Sequence, residues 1–458
     1  MKVLLCALAF VPLAGTAFAD AGAPAPDAPS AMFSGVPAVA PAAADRGAGT
    51  CDPDGVQPSG AIYRICMPPP GEWNGDLVVF AHGYVDPNEP VAIPEDQLGQ
   101  LGQSLPEIVT ALGYAFAVSS YRQNGLAILE GLDDLVELVD IFEQTYGPAR
   151  YVYLTGASEG GLITALGVER RPDVFDAGLS TCGPTGNFAL QLAYFGNMRV
   201  VYDYFFDTLP GSPTDIPGEL YQNWPDVYRP QVEEALAANP AITEQIIRIT
   251  RAPVDAADPV NTKISSIAGA LGYQVRASTD AFNKLGGVPV GNRGIWYRGA
   301  DQPILFNLGV ERFDADPDAA ATVEAFYQTS GEIQRPLVVM HTTGDEIIPY
   351  WHALLYYLKI AAAGELGRQV TIPIQRYGHC NFEVDEVLVG FTILVLRTQG
   401  TLLTGVEDVL PGAESAARYR ALLEAELERM DNGAPPAGLL DVLAPRASEA
   451  RVPAIRGD

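Results

Sequence analysis

The chain has 458 residues, of which 48% are hydrophobic and 18% are charged. This length and composition suit a large globular domain with an insertion, or two domains, and exclude a chain that is disordered throughout. It carries 28 basic and 56 acidic residues, a formal net charge of −28, which disfavours nucleic acid or an anionic membrane as a partner.

The first residues predict a secretory signal peptide over residues 1–19. Lys2 precedes an apolar run from Val3 to Ala14, and small residues at Ala17 and Ala19 form a cleavage site. The alternative, an uncleaved anchor, is disfavoured because the run is shorter than the ~20 residues that a membrane span needs. We therefore expect export to the periplasm or the medium, and no membrane span in the mature chain.

Strands and helices alternate along two separate parts of the chain, after an Ala/Pro-rich stretch at residues 20–50 that is typical of a flexible leader. The predicted strands are Ala61–Cys66, Leu77–Ala81, Tyr114–Ser119, Tyr151–Thr155, Ala177–Thr181, Leu337–Met340 and Val370–Gln375. The predicted helices are Leu105–Leu112, Leu126–Tyr146, Leu162–Arg171, His352–Ala362, Val384–Arg397 and Glu414–Met430. This alternation predicts an α/β fold with a mostly parallel central sheet flanked by helices, formed by residues 51–182 and 336–458.

Residues 183–335 do not follow the alternation. This segment is rich in proline, glycine and aromatic residues, among them Phe205, Trp224 and Trp296. We expect it to be a large insertion at one loop, forming a cap or lid. Its aromatic residues suit a hydrophobic or aryl substrate, although each is also suited to packing the cap's own core.

A Gly-x-Ser-x-Gly motif lies between a predicted strand and a predicted helix, at Gly156-Ala157-Ser158-Glu159-Gly160. In this context the serine stands on a sharp turn with its hydroxyl exposed above the sheet, and the first N–H groups of the helix favour negative charge beside it. The motif predicts Ser158 as a catalytic nucleophile. The alternative is a glycine-rich turn with an incidental serine.

A serine nucleophile needs a base, and the base needs an orienting acid. In this fold the chain order is serine, acid, histidine. His379 follows the last predicted strand and is the expected base, ahead of His341 and His352, while His82 precedes the serine and fits another role. Asp345, in the loop after the strand at Leu337, is the expected acid, and the adjacent Glu346 is the alternative.

Two backbone N–H groups are expected to form an oxyanion hole. The Glu159 N–H follows the nucleophile, and a second donor comes from the early loop His82-Gly83-Tyr84, through the Gly83 or Tyr84 N–H. The Tyr84 hydroxyl is a further candidate donor. A purely structural strand-to-loop turn is the alternative for His82-Gly83.

Four cysteines remain after the signal peptide: Cys51, Cys66, Cys182 and Cys380. An even number in an exported chain predicts two disulfides with three possible connectivities. Cys51–Cys66 is the local choice, which leaves Cys182–Cys380 to hold the histidine loop at the carboxyl edge of the sheet. A reactive thiol at Cys380 is the alternative.

These motifs resemble the α/β-hydrolase superfamily, through His82-Gly83, the Gly156–Gly160 motif, Gly344-Asp345 with Pro349, and Gly378-His379. The pattern looks most like exported bacterial serine esterases and the prolyl-oligopeptidase-like group. The resemblance implies an eight-stranded, mostly parallel sheet and a Ser–His–Asp mechanism. The chain is also similar to tannases and feruloyl esterases in the Cys beside the histidine, and departs from them at Ala157, where their pattern has a Cys.

The expected function is an exported serine hydrolase that cleaves small-molecule or oligomeric carboxylic esters through an acyl-enzyme, most simply on a hydrophobic or aryl ester. A serine peptidase or amidase of the prolyl-oligopeptidase-like type is one alternative. A non-catalytic exported binding protein on the same fold is another. No metal or organic cofactor is expected, because the sequence carries no His-Glu-x-x-His and no Cys/His cluster at zinc spacing.

Overall fold

The computed structural model describes residues 49–99 and 101–436, all within one compact unit. The predicted signal peptide and nearly all of the leader therefore lie outside the described residues. Within the described part, no helix has the length and apolarity needed to cross a membrane.

Nine strands form one mixed sheet, in the order β1-β3-β5-β4-β6-β7-β8-β9, with β2 also paired to β3. The strands are β1 Thr50–Cys51, β2 Gly55–Val56, β3 Ile62–Met67, β4 Leu77–Ala81, β5 Ala115–Ser119, β6 Val152–Ala157, β7 Ala177–Thr181, β8 Leu337–Gly344 and β9 Gln369–Tyr377. β3 runs antiparallel to its neighbours, and β5, β4 and β6 to β9 are parallel. The expected α/β-hydrolase fold is confirmed. The sheet has nine strands and not the eight implied by the resemblance, and two of the nine, β1 and β2, are two-residue strands paired to β3 at one edge.

Fifteen α-helices accompany the sheet in the described residues. They are α1 Glu95–Leu98, α2 Leu105–Ala111, α3 Ile128–Tyr146, α4 Glu159–Arg170, α5 Phe188–Phe205, α6 Gly218–Gln222, α7 Arg229–Ala238, α8 Pro240–Thr250, α9 Pro259–Leu285, α10 Pro303–Gly309, α11 Pro317–Phe326, α12 Trp351–Ala363, α13 Val384–Gln399, α14 Val406–Val409 and α15 Ala413–Asp431. A π-helical turn spans Trp224–Tyr228, and a 3₁₀ turn spans Leu366–Arg368.

The sheet has a hydrophobic core on each face. Every residue of β4, β5 and β7 is buried, as continuous apolar runs in a parallel sheet require. Helices α2, α13 and α15 cover one face, and α3 and α4 cover the other. Because both faces are sealed, the edge at the carboxyl ends of the parallel strands is the place for a ligand.

The chain between β7 and β8 forms α5 to α11 and contains no strand. These helices have a hydrophobic core of their own, which includes Trp224, Leu271 and Phe306. The same cluster takes in Ile347 and Ile348 from the loop after β8, so the helical insertion packs against the loop that carries Asp345.

Candidate active site

Ser158 stands alone between β6 and α4. Its backbone has φ 58° and ψ −120°, a conformation that L-residues rarely adopt and that costs about 1–3 kcal/mol. The helix begins at Glu159 and not at the predicted Leu162. The serine is thus the N-cap residue, and the free N–H groups of the first turn lie beside it.

Two glycines make this turn possible. A Cβ on Gly160 would overlap the carbonyl group of Ala81 at the end of β4, and one on Gly156 would overlap the Gly160 carbonyl. Only hydrogen at both positions allows α4 to approach β4 and β6 this closely. The motif's glycines therefore have a steric role that sets the position of the serine.

The structure brings Ser158, His379 and Asp345 together in one chain of hydrogen bonds. His379 Nε2 lies 2.9 Å from Ser158 Oγ, and His379 Nδ1 lies 2.8 Å from Asp345 Oδ2. With Nδ1–H donating to the carboxylate, Nε2 is left to accept the serine proton. His379 and Asp345 are 34 residues apart, and the serine is 221 residues from the histidine.

The Asp345 carboxylate is fully buried and fully hydrogen-bonded. Besides His379, its Oδ1 accepts from the N–H groups of Ile347 and Ile348, at 3.0 and 2.8 Å. Burial by itself raises the pKa of this carboxyl, but the His379 charge and hydrogen bonds from His341 and His379 outweigh burial and lower the pKa to about 2. Asp345 is therefore ionised at neutral pH.

The pKa of His379 shifts in the opposite direction. Burial lowers its pKa, but the charge and hydrogen bond of Asp345 and the charge of Glu346 together raise the pKa above the usual value. The His379 ring hydrogen-bonds to Asp345, whereas the alternative acid Glu346 takes a hydrogen bond from the His379 backbone. Its Oε2 has no hydrogen-bond partner among the described residues, and burial raises its pKa.

Two disulfides pair Cys51 with Cys66 and Cys182 with Cys380, the pairing that the sequence favoured. Cys182, Cys380 and His379 place their ligand atoms within 4.8 Å of one another. The sulfurs of Cys182 and Cys380 are bonded to each other, so they are not the thiolates that a metal site of this kind needs.

None of the other three histidines contacts the serine, although His341 Nε2 lies 3.5 Å from Asp345 Oδ2, and each has a structural contact. His82 stacks on Tyr121 with ring centroids 3.8 Å apart, and burial lowers its pKa to about 4. His341 Nε2 lies 2.7 Å from the Ile348 carbonyl, and His352 Nε2 lies 2.8 Å from Gln191 Oε1.

One of the two candidate N–H donors in the loop His82-Gly83-Tyr84 already has a hydrogen-bond acceptor. Gly83 N–H donates to Gln97 Oε1 at 2.6 Å. A Cβ on Gly83 would lie 3.1 Å from Ser158 Cβ, so this loop runs directly beside the serine. The Tyr84 N–H has no hydrogen-bond partner among the described residues, and the buried Tyr84 hydroxyl has none either.

The Glu159 side chain turns away from its own N–H and is buried. Its Oε1 accepts from the Ala127 N–H at 2.8 Å. Burial raises the pKa of Glu159 to about 8 despite that hydrogen bond. The carboxyl group thus anchors the loop before α3 and is largely protonated at neutral pH.

A small apolar cavity of about 70 Å³ touches Ser158. We call it the cap-side cavity, because α5 and α9, which belong to the segment expected to form a cap, make up much of its wall. Its lining includes Tyr84, Leu126, Phe188, Leu192, Phe195 and Tyr273. The helical insertion therefore contributes directly to the surroundings of the serine.

Polar contacts also join the insertion to the sheet domain. Asp280 of α9 accepts from the Leu126 N–H at 2.6 Å, and Lys284 donates to the carbonyl groups of Asn124 and Leu126. On the other side, the Tyr194 hydroxyl donates to the Glu346 carbonyl at 2.8 Å. These contacts hold α5 and α9 over the carboxyl edge of the sheet.

Sequence reasoning missed Gln97, the Glu159 carboxyl group and Asp280. Gln97 lies in a segment without a motif, and Asp280 is 154 residues from its partner Leu126. The buried position of Glu159 in the motif was the one available signal, since it directly follows the serine on a helix that packs against the sheet.

No protein-family model and no curated protein matches this chain. Among solved structures, Pyrococcus horikoshii acylaminoacyl peptidase is similar at 12% identity over 82% of this chain and 44% of that one, with a TM-score of 0.41. A puromycin hydrolase matches at 12% identity over 78% and 40%, with a TM-score of 0.39. A Pyrococcus furiosus esterase matches at 10% identity over 83% and 90%, with a TM-score of 0.38.

The chain spans less than half the length of the first two of these proteins. Likenesses at this level of identity and TM-score assign no activity to this chain.

Proposed function

We propose that this chain is an exported serine hydrolase that cleaves carboxylic esters, with Ser158 as nucleophile, His379 as general base and acid, and Asp345 as the acid that orients the histidine. The observation that carries the proposal is the continuous hydrogen-bonded chain from Ser158 Oγ through His379 to Asp345, on a strand–turn–helix elbow. Nucleophile, base and orienting group in mutual contact are the geometric signature of nucleophilic catalysis.

In the first half-reaction, Ser158 Oγ attacks the ester carbonyl while its proton passes to His379 Nε2. The C–O bond to the alcohol then breaks, and His379 returns the proton to the leaving oxygen. Water repeats the sequence on the acyl-enzyme and releases the acid. Asp345 stays ionised throughout and stabilises the imidazolium.

The oxyanion is proposed to bind the N–H groups of Glu159 and Tyr84. Glu159 N–H begins α4, where the helix dipole also favours negative charge. Tyr84 is favoured over Gly83 because Gln97 already occupies the Gly83 N–H. Gly83 then keeps the loop close to the serine.

Residues 183–335 are proposed to be the cap, and the substrate to be an apolar ester. The cap-side cavity that touches Ser158 is lined mainly by aliphatic and aromatic side chains. Burial of such surface contributes about 25 cal/mol per Å². Export is supported by the predicted signal peptide at residues 1–19 and by the two disulfides, which persist in oxidising compartments.

The decisive experiment compares hydrolysis of p-nitrophenyl esters, from acetyl to decanoyl, with hydrolysis of an aminoacyl p-nitroanilide. Ser158→Ala is expected to lower kcat on the esters by up to a factor on the order of 10⁶. Ser265→Ala, at an exposed serine of α9, is the matched control and should retain full activity.

Anilide cleavage exceeding ester cleavage would move the assignment to a peptidase or amidase. Ester turnover that survives in Ser158→Ala would refute the nucleophile. No turnover of either substrate by the wild type would favour the binding-protein alternative.

A further inference from the structure

A second apolar cavity lies between the sheet and helices α2 and α13. It has a volume of about 100 Å³, and we call it the rear cavity. Its lining includes Val78, Phe80, Leu105, Ile108, Leu388 and Phe391. An apolar cavity of roughly 150 Å³ is large enough to bind benzene and stays dry when empty, so the rear cavity is of a size to hold a short hydrocarbon group.

One end of the rear cavity is lined by chain neighbours of the candidate catalytic residues. Its lining includes Ala157 and Cys380, which are the chain neighbours of Ser158 and His379. It also includes Gln97, which hydrogen-bonds to the loop beside the serine. The cap-side cavity touches Ser158 itself, whereas the rear cavity is lined by the residue before it, Ala157.

The polar groups that line the rear cavity are already occupied. Thr181 Oγ1 donates to the Gly156 carbonyl at 2.9 Å, and Thr155 Oγ1 donates to the Val79 carbonyl at 3.4 Å. Gln97 Oε1 accepts from Gly83 N–H. None of the described lining residues carries a charge. The cavity therefore offers a guest no hydrogen bond and favours a non-polar one.

Gln97 stands at the end nearest the serine. Its Nε2 approaches the carbonyl oxygens of Gly83 and Tyr84 at 3.5 and 3.4 Å, which are long contacts. A small rotation that moves Nε2 and keeps Oε1 on the Gly83 N–H therefore gives up little. Such a rotation is the step that a chain attached to the reacting carbonyl requires in order to enter.

We propose that the rear cavity binds the unbranched aliphatic acyl chain of the substrate, and that the cap-side cavity binds the leaving group. The reaction itself rests on the proposed ester hydrolysis, whereas binding of a hydrocarbon chain does not. Each methylene transferred from water into the cavity is expected to raise kcat/KM about four-fold until the cavity is full.

The kinetic test uses p-nitrophenyl esters of two to ten acyl carbons with two opposed variants of the rear cavity. Val387→Phe fills it and is expected to move the optimum to a shorter chain by two or more carbons. Phe382→Ala enlarges it and is expected to move the optimum to a longer chain. Both residues line the cavity and are only partly buried.

Two matched controls locate the effect. Leu396→Phe adds a ring elsewhere on α13, and Leu192→Phe narrows the cap-side cavity; both should keep the wild-type chain-length optimum. If Leu192→Phe shifts the optimum and the two rear-cavity variants do not, the proposal is overturned. If Val387→Phe does not fold, Phe382→Ala alone decides. A chain-length optimum that moves to a longer chain supports the proposal, and an unchanged or shorter optimum overturns it.

A binding measurement separates this proposal from the proposed function. Butan-1-ol, a chain short enough for a cavity of about 100 Å³, is titrated calorimetrically into Ser158→Ala, with and without Val387→Phe. Saturable binding that is lost on adding Val387→Phe supports the rear cavity, even if no ester is hydrolysed. Absence of binding in Ser158→Ala refutes it, even if ester hydrolysis is found.

Discussion

Cys182, at the end of β7, is joined by a disulfide to Cys380, the residue that follows His379. Both cysteines have positive φ, at 45° and 50°, so each backbone is held in a conformation that L-residues avoid. Cys380 Sγ lies 3.4 Å from His379 Nε2. The bridge therefore ties the histidine loop to the strand next to the nucleophile.

The first prediction is that removing this bridge lowers activity as well as stability. Replacing Cys182 and Cys380 together by serine opens a loop with a sequence separation of 198, and the chain-entropy estimate is about 5 kcal/mol of lost stability. Because the histidine loop is released, kcat for ester hydrolysis should fall at least about ten-fold, since small misplacements of catalytic groups are costly.

The matched control is the double serine variant of Cys51 and Cys66. This bridge closes a separation of only 15 residues, worth about 3 kcal/mol by the same estimate, at the sheet edge away from the serine. It should lower the melting temperature and leave kcat unchanged. Equal effects of the two double variants on kcat would contradict a positioning role for Cys182–Cys380.

The second prediction concerns the acid limb of the pH profile. His379 must be neutral to accept the serine proton, and its pKa is raised by Asp345 and Glu346 against the effect of burial. Hydrolysis should therefore decline with falling pH from a midpoint above the ordinary imidazole value of about 6.5.

Asp345→Asn removes the charge that raises this pKa. The midpoint of kcat/KM against pH should move to lower pH, and kcat should fall by a factor on the order of 10⁴ because the imidazole loses its orienting partner. Glu346→Gln is the control and should move the midpoint in the same direction by less, with kcat nearly retained. An unchanged midpoint in Asp345→Asn would argue against the proposed pair.

The sheet domain was predictable from sequence because its chemistry is local. Strands buried on both faces appear as continuous apolar runs, so Leu77–Ala81 and Ala177–Thr181 match the observed strands in both bounds. The order of the motifs then predicted which residues should meet, and Ser158, Asp345 and His379 do lie in contact.

The helices between β7 and β8 were not predicted. Many of these helices are short and begin at proline, as α8, α10 and α11 do, so no long apolar period marks them. Contacts such as Gln97 with Gly83, and Asp280 with Leu126, depend on how separate elements pack. The sequence around one residue of such a pair does not indicate which residue is its partner.

The third prediction is that Gln97 positions the loop of the proposed oxyanion hole. Gln97→Ala leaves the Gly83 N–H without its 2.6 Å acceptor, and the loop beside Ser158 loses a restraint. We expect kcat to fall about ten-fold with KM changed little, since the loop acts mainly on the charge that develops in the transition state.

Gln97→Glu keeps an acceptor for Gly83 but adds a carboxylate near the oxyanion, so it should lower kcat at least as far as Gln97→Ala. Gln103→Ala, in the loop before α2, is the matched control. A rise in KM with kcat unchanged would indicate that Gln97 contacts the substrate and does not act through the loop.

The fourth prediction is that Gly160→Ala destabilises the fold. The added methyl group would overlap the Ala81 carbonyl. Because the Cβ position is fixed by the α4 backbone and the carbonyl belongs to the β4 backbone, no side-chain rotation relieves the clash. The free energy of unfolding should fall by an amount at or above the upper end of the ~1–3 kcal/mol range for overpacking. Gly367→Ala, with no atom within 4 Å of the new Cβ, should be neutral in urea unfolding.

The last prediction concerns the pH dependence of stability that arises from Glu159. Burial raises its pKa from 4.5 to about 8 in the folded chain. The folded state therefore holds a proton that the unfolded chain releases, and the free energy of unfolding declines as the pH rises from about 4.5 to about 8. Each unit of raised pKa corresponds to about 1.4 kcal/mol between the two protonation states.

Glu159→Gln keeps an acceptor for the Ala127 N–H and cannot ionise. Its free energy of unfolding should therefore exceed that of the wild type at pH 8 by more than it does at pH 5, as urea titrations at both pH values would measure. Glu72→Gln, at an exposed carboxyl group, should leave the difference between the two pH values unchanged. A wild type and a Glu159→Gln variant with parallel pH profiles would mean that the buried carboxyl group finds a compensating charge when it ionises, and Lys284 is the nearest candidate because its charge already lowers the pKa of Glu159.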